Sequence, residues 1–399
     1  MSSIAARSVA GPAVSISQQV DGLTLNWPDG QVSFFHHIWL RDCCYCASCG
    51  DTYSSNRYLK PSDVSLDVSP RTVAIEDGQW LAVEWSAGGH RSRYSLDWLR
   101  ANCYSDAART ERFHRPITWG AQIVSALPSV RFDAAQSDKS VRLDFFRKLR
   151  DYGFVVVRGG PIRNNGVEAV ANLIGDVSDS AYGKIFDLSP KAAIKTLGNT
   201  FDPVPPHTDE AYRHCPPGVN VLHCVRPANV GGASVLVDGF HLGELLRARD
   251  APAFHLLVTQ PQPFHRVVRS SGIDQRTRGP VFVLDEFGTI VGFRFHTRSA
   301  APLDVPANLM PAVYAANHKL SAMMMSENNQ VRFRLEAGDA VLFDNQRVMH
   351  SREGFNDVER KLRICSVSRE QLHEQLRLLA HELGYADEAN QVLAAGLTG

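Results

Sequence analysis

DAVLFDNQRVMHS, residues 339–351, is an apolar run of strand length that ends on a histidine. Segments of the same kind recur around it: VNVLHCV (219–225), ASVLVDGF (233–240), PVFVLDEFGTIVGFRF (280–295), QVRFRL (330–335) and KLRICSVS (361–368). Helical patterns are fewer. VRLDFFRKLRDYGF (141–154) places Leu143, Phe146 and Leu149 at helical spacing, and GFHLGELLRARDAPAFHLLVTQ (239–260) and REQLHEQLRLLAHELG (369–384) also read as helix. Many strands with few helices predict an α+β chain whose main domain is a jelly roll with helical cover, not a parallel α/β sheet. The absence of a glycine-rich phosphate loop argues against dinucleotide or P-loop binding.

At 399 residues the chain is long for one domain and comfortable for two. Lys plus Arg equals Asp plus Glu at 42 each, so neither nucleic acid nor an anionic membrane is the expected partner. The opening residues make a poor secretory leader and are expected to fray, which points to the cytoplasm. Two hairpins, LTLNWPDGQVSFF (23–35) and TVAIEDGQWLAVEW (72–85), suggest a small β-rich unit. Their flanks do not match, so no internal repeat is read. Residues 105–135 show no period and are taken as the junction between domains 1–110 and 136–388.

The sharpest motif is PPHTDEAY (205–212). On a strand, residues two apart share a face, so His207 and Asp209 can converge on one ion. His350 is the candidate third ligand. Two histidines and one carboxylate make the facial triad of non-haem Fe(II) oxygenases, which leaves positions open for 2-oxoglutarate and O₂. An arginine shortly after the distal histidine suits the far carboxylate of that co-substrate. Arg360 and Arg363 are the candidates, and Ser234 offers a helping hydroxyl.

PPHTDEAYRHCPPGVNVLHCVRPANVGGASVLVDGF (205–240), FDNQRVMHSREGF (343–355) and ERKLRICSVSRE (359–370) together resemble the γ-butyrobetaine and trimethyllysine hydroxylase family, with its TauD-like catalytic domain. The resemblance runs over nearly the whole chain. It implies a double-stranded β-helix and hydroxylation of an unactivated C–H bond with release of succinate and CO₂. His207, Asp209 and His350 match the iron ligands, Arg360 matches the 2-oxoglutarate arginine with Arg363 as fallback, and Ser234 matches the assisting hydroxyl. A homodimer is a further expectation of the family.

FHHIWLRDCCYCASC (35–49) resembles the family's zinc segment. Cys44, Cys46 and Cys49 fall on the three thiolates, and His90 falls on the fourth ligand. Three thiolates and an imidazole complete a tetrahedral Zn²⁺, which marks a structural site. Cys43 is out of register, and His36 and His37 read as packing or hydrogen-bonding residues.

The family holds a trimethylammonium group in an aromatic cage. Tyr182 and Phe186 match two cage positions. Thr196 and Asn199 stand where an N-x-x-Y stretch is expected, and Ser366 replaces a tyrosine. The substrate is therefore expected to be a betaine, an amino acid or an aminophosphonate, unless Tyr104, Phe201 or Tyr212 completes the cage. Alternatives are desaturation or cyclisation by the same centre, a protein or nucleic-acid hydroxylase, and a non-catalytic scaffold stabilised by metal. The presence of Asp209 argues against a halogenase.

Overall fold

The computed structural model describes residues 14–163, 165–180, 182–192, 197–269 and 272–389. Residues 1–13, expected to fray, lie outside the described residues, as does Thr196. The chain divides into two units at His114 and Arg115.

In the first unit β1 (Ser15–Gln18), β2 (Gly22–Asn26) and β3 (Val32–His36) form an antiparallel sheet that runs into α1 (His37–Asp42). A short pair follows, β4 (Gly50–Asp51) and β5 (Asn56–Arg57). Then β6 (Pro70–Glu76), β7 (Trp80–Trp85) and β8 (Arg91–Ser95) form a second antiparallel sheet, followed by α2 (Leu96–Ala101) and α3 (Asp106–Arg112). The expected hairpins are β2–β3 and β6–β7. Asp77 and Gly78 both have positive φ, 53° and 68°, at the central positions of a tight turn closed by the Gln79 N–H on the Glu76 carbonyl at 3.1 Å.

A repeat is present, contrary to the sequence reading, in a different frame from the two hairpins. The segment β2–β3–α1 corresponds to β7–β8–α2. Leu23, Leu25 and Trp27 match Leu81, Val83 and Trp85, and all six are buried in one core. Trp27 donates its indole N–H to Ser33, and Trp85 donates to Ser92, each at 2.8 Å. Trp39 and Trp98, each followed by Leu-Arg, stack with ring centroids 5.5 Å apart. Cys103 stands where the other half has Cys44. The periodless stretch 105–135 holds α3, β9 (Ser129–Arg131) and part of α4 (Phe132–Ser137), all too short to print a period.

The second unit continues with α5 (Lys139–Tyr152), β10 (Phe154–Arg158), α6 (Gly166–Ala171), β11 (Phe186–Leu188), β12 (Val204–His207), β13 (Val219–Arg226) and β14 (Ser234–Asp238). Next come α7 (Gly239–Arg249), α8 (Ala251–Thr259), the hairpin β15 (Gln262–Val268) with β16 (Ile273–Gly279), and the hairpin β17 (Phe282–Leu284) with β18 (Ile290–Phe293). The chain closes with α9 (Met310–Met325), β19 (Val331–Phe333), β20 (Ala340–Asp344), β21 (Val348–Arg352), β22 (Lys361–Val367), α10 (Arg369–Glu382) and α11 (Ala386–Ala389). Among the described residues, one sheet runs β11-β22-β13-β20-β10-β9 and another β12-β21-β14-β19, the two walls of a jelly roll.

Strand alternation decides what each wall faces. Val341 and Phe343 of β20, Leu222 and Cys224 of β13, and Leu362 and Ile364 of β22 share a core with Leu236 of β14 and Val348 of β21. The intervening Ala340, Leu342, Val219, Val221, Cys365 and Val367 pack instead on α5, α6 and α10. Val237 and Met349 point out of the small sheet into a third core with α7, α8 and α9. His350 and Arg352 are therefore in phase with Val348 and face the interior. None of the helices is long and apolar enough to cross a membrane among the described residues.

One buried ion pair ties these layers. Arg347 contacts both carboxylate oxygens of Asp238 (3.1 and 2.9 Å) and donates to the carbonyls of Asp151 and Ile117. Asp238 also caps α7 by accepting from the Phe240 N–H. Gly153, which ends α5 with φ 73°, has to be glycine for a second reason: a Cβ there would meet the Arg347 side chain at 2.8 Å. Arg347→Ala leaves Asp238 buried and uncompensated, and is expected to cost about 3–5 kcal/mol of stability, read by urea denaturation.

Candidate active site and metal centres

In the small sheet β21 lies between β12 and β14, and its register brings the motif residues together. His207 is directly opposite His350, and Ser234 is opposite Arg352. The Nε2 atom of His207 lies 3.4 Å from one Asp209 oxygen, and Nε2 of His350 lies 3.7 Å from the other. With bonds of roughly 2.1 Å at right angles, neighbouring ligands of a facial triad lie roughly 3 Å apart, so the set fits one octahedral ion with little movement.

The groups behind the triad fix its orientation. His207 Nδ1 is 2.9 Å from the Pro205 carbonyl, which leaves Nε2 for the metal. Asn220 donates to Asp209 at 2.9 Å. Asn345 accepts from the Asp209 N–H at 2.7 Å and donates to the Asp209 carbonyl at 3.0 Å. Burial pushes the His350 imidazole down to about 4, so it is a neutral donor at pH 7. Burial opposes the charge on Asp209, but His350 and His207 hold its carboxyl well below the usual carboxylate range.

The triad opens onto a cavity of about 680 Å³. At one end lie Ser234, buried on β14, and Arg360, only 4 % exposed. The Arg360 guanidinium lies 4.7 Å from the Phe355 ring and has no carboxylate partner among the described residues. Burial alone lowers its pKa to about 10. A buried cation without a counter-charge is costly unless an anion arrives. Gly232, with φ 69°, keeps the space: a Cβ would come within 3.2 Å of Arg360 Nε. Arg363, the fallback, is instead engaged 3.0 Å from Asp187 across the β11–β22 ladder. Arg352 donates to the carbonyls of Gly198, Thr200 and Asp202, and so holds the loop that leads into β12.

Elsewhere on the cavity wall, the Tyr182 and Phe186 rings are 5.7 Å apart and inclined at 56°. Ser366 lines the wall, in phase with Leu362 and Ile364. Asn199 also reaches the wall, but its Oδ1 accepts from the Ser189 N–H at 3.0 Å, which gives it a part in holding the loop. Of the three aromatics considered for completing the cage, Tyr212 lines the cavity, its hydroxyl 3.5 Å from that of Tyr182. Phe201 packs on Phe355, and Tyr104 is bonded to His36.

In the first unit Cys44, Cys46, Cys49 and His90 gather their ligand atoms within 4.8 Å of one another. The three sulfurs lie 3.4, 3.6 and 3.6 Å from His90 Nε2. Tetrahedral Zn²⁺ with bonds of about 2.3 Å to sulfur and 2.0 Å to nitrogen requires roughly 3.5 Å. The Arg41 guanidinium donates to Cys49 Sγ at 3.4 Å, where it would offset part of the negative charge of a zinc-bound set of thiolates. Cys43 packs on the hydrophobic core instead. His36 bonds Tyr104, and His37 is buried against Trp85.

Residues 113–366 match the model of the taurine catabolism dioxygenase TauD, TfdA family, and residues 14–100 match that of the gamma-butyrobetaine hydroxylase-like N-terminal domain. The chain belongs to the TauD family of Fe(II)- and 2-oxoglutarate-dependent dioxygenases. Among its relatives is the gamma-butyrobetaine dioxygenase of Pseudomonas sp. (strain AK-1), 32% identical over 92% of this chain and 96% of that one. The mitochondrial trimethyllysine dioxygenase of Rattus norvegicus is 27% identical over 91% of this chain and 86% of its own length. The gamma-butyrobetaine dioxygenase of Homo sapiens is 25% identical over 91% and 96%.

In this TauD-family dioxygenase several residues near the centre carry no motif in the sequence. Asn220 and Asn345 support Asp209, and the His296 ring lies 5.1 Å from that of His207. Arg266 on β15 and Arg298 in the turn Thr297–Ser299 also line the cavity. The period-two phase of β13 gives a usable signal for Asn220, since it falls on the Leu222 face. Arg266, His296 and Arg298 come from a hairpin and a single turn, where no period exists to place them.

Proposed function

We propose that this dioxygenase hydroxylates an unactivated C–H bond of a small zwitterionic or cationic substrate, releasing succinate and CO₂. His207, Asp209 and His350 hold the iron. Arg360 and Ser234 hold the far carboxylate of 2-oxoglutarate. Cys44, Cys46, Cys49 and His90 hold a structural zinc. The observation that carries the reading is the convergence of three ligand side chains in a cavity that ends on an uncompensated buried arginine. The resemblance to gamma-butyrobetaine and trimethyllysine dioxygenases supports the substrate class.

Bound iron supplies the activation of O₂, coupled to oxidative decarboxylation of 2-oxoglutarate, that makes an inert C–H bond oxidisable. The chain supplies position. Asn220 holds the Asp209 carboxylate and Asn345 holds its backbone, so that the carboxylate and both Nε2 atoms would hold one ion between them. Arg360, which lines the cavity together with Ser234, sets the direction from which the co-substrate reaches the triad. Tyr182, Phe186 and Tyr212 line the wall where a substrate chain lies, and their rings exclude water from it.

The test is succinate formation from 2-oxoglutarate with a panel of betaines, amino acids and aminophosphonates. Iron-dependent succinate coupled to one panel member supports the reading. No iron-dependent succinate from folded, zinc-loaded protein, with or without substrate, overturns it. Arg360→Ala is expected to raise the half-saturating 2-oxoglutarate concentration about 100-fold, and Arg360→Lys by less, since lysine keeps the charge but not the fork.

A further inference from the structure

The cavity carries more positive charge than the co-substrate requires. Lys184, Arg266, Arg298, Arg352, Arg360 and Arg363 line it, against the carboxylates Asp187, Asp209 and Glu210. Asp187 is taken by Arg363 and Lys361, and Glu210 pairs with Arg213 at 2.9 Å. Arg352 is spent on backbone carbonyls. Fe(II), Asp209, dianionic 2-oxoglutarate and Arg360 are together neutral. Arg266, Arg298 and the exposed Lys184 are left over, with no carboxylate at ion-pair distance among the described residues.

These two arginines have a different set of neighbours from Arg360. The charged neighbours of Arg298 are Asp209 and Arg266, with Tyr182 and Tyr212 beside them, whereas Arg360 neighbours Arg352 and the neutral Cys224 thiol. Arg266 Nε donates to the Tyr182 hydroxyl at 3.1 Å, and that hydroxyl lies 3.5 Å from the Tyr212 hydroxyl. Burial raises the Tyr212 pKa above its ordinary value, so this phenol keeps its proton and can donate it to an acceptor. Arg298 is exposed at the cavity wall, open to a ligand. Two guanidinium groups repel a cation here and suit an oxyanion, which each can grip with two parallel hydrogen bonds.

We propose that Arg266 and Arg298, with the hydroxyls of Tyr182 and Tyr212, form the receptor for an oxyanion carried by the substrate: a carboxylate, sulfonate or phosphonate. The proposal rests on the oxygenase reading above and narrows its substrate class. The charge of Arg298 bears on both Asp209 and His350. A short substrate anchored there therefore presents its aliphatic carbons to the iron.

The test uses anaerobic holoenzyme loaded with zinc, Fe(II) and 2-oxoglutarate, and calorimetric titration with defined probes. These are γ-butyrobetaine, its sulfonate and phosphonate analogues, the same three with a primary amine, and butyltrimethylammonium and butylamine as oxyanion-free controls. At least one oxyanion probe is expected to bind at least about 10-fold more tightly than its control. Arg298→Gln and Arg266→Gln are each expected to weaken that probe by about 10- to 100-fold while 2-oxoglutarate binding, read from the visible absorption of its iron chelate, stays within about twofold. The relative affinity of the three head groups identifies which oxyanion the site takes. Controls that bind as tightly as the oxyanion probes, no binding of any oxyanion probe, or unchanged affinity in both variants overturns the proposal and leaves the oxygenase reading standing. Failure of the wild-type protein to form the chelate overturns both.

Discussion

Asp209→Ala is expected to lower iron-dependent succinate formation by about 1000-fold or more, equivalent to roughly 4 kcal/mol of activation free energy. The physical cause is local. Asp209 is the one anionic ligand of the three, and its two oxygens face the two histidine Nε2 atoms at 3.4 and 3.7 Å. Without it a dication must be held by two neutral imidazoles. Asn220, which donates to the carboxylate at 2.9 Å, is then left with only the longer contact to Asn345 Oδ1 at 3.4 Å. The measurement is iron content after anaerobic gel filtration, together with succinate yield. Asn220→Ala, which removes support without removing a ligand, is expected to cost less, about 10- to 100-fold in iron affinity. An Asp209→Ala protein that keeps wild-type iron and turnover contradicts the assignment of the triad.

The second large effect is on stability. Removing zinc with a chelator, or replacing Cys46 with serine, is expected to unfold the first unit, because a structural zinc site supplies on the order of 10 kcal/mol of folding free energy. The two larger sheets of that unit are three-stranded, and the segment between α1 and β6 that carries Cys44, Cys46 and Cys49 holds only the two-residue strands β4 and β5 and the single turn Pro61–Asp63. Zinc content by mass spectrometry and proteolysis within residues 43–60 are the readouts. Metal-free protein whose first unit resists proteolysis as well as the loaded form contradicts a structural role.

The parts of this molecule that were legible in the sequence are those that obey a period or crowd together. His207 and Asp209 are two apart, and His350 ends a strand, so a register of β12 against β21 brings them face to face. The cysteines announce themselves by density. Arg360 could be preferred over Arg363 only through the resemblance, and the structure then gives the physical difference: Arg363 has Asp187, and Arg360 has no carboxylate partner among the described residues. The duplicated β-sheet and helix of the first unit is not visible from hairpins 23–35 and 72–85, because these two segments are out of frame with each other. The matching pairs, such as Trp27–Ser33 and Trp85–Ser92, straddle a turn of different length in each half. Arg266 and Arg298 were unreadable for a different reason. Their proximity depends on the packing of β15 and of the turn Thr297–Ser299 beside the jelly roll, and no local pattern encodes that.

The measurement that bears most directly on the central claim is an anaerobic titration of zinc-loaded protein with Fe(II) and 2-oxoglutarate, followed by visible absorption. The account predicts a weak charge-transfer band that saturates at one chelate per chain, is lost in His207→Ala, and needs far more 2-oxoglutarate in Arg360→Ala. A folded, zinc-loaded wild-type protein that develops no such band contradicts it.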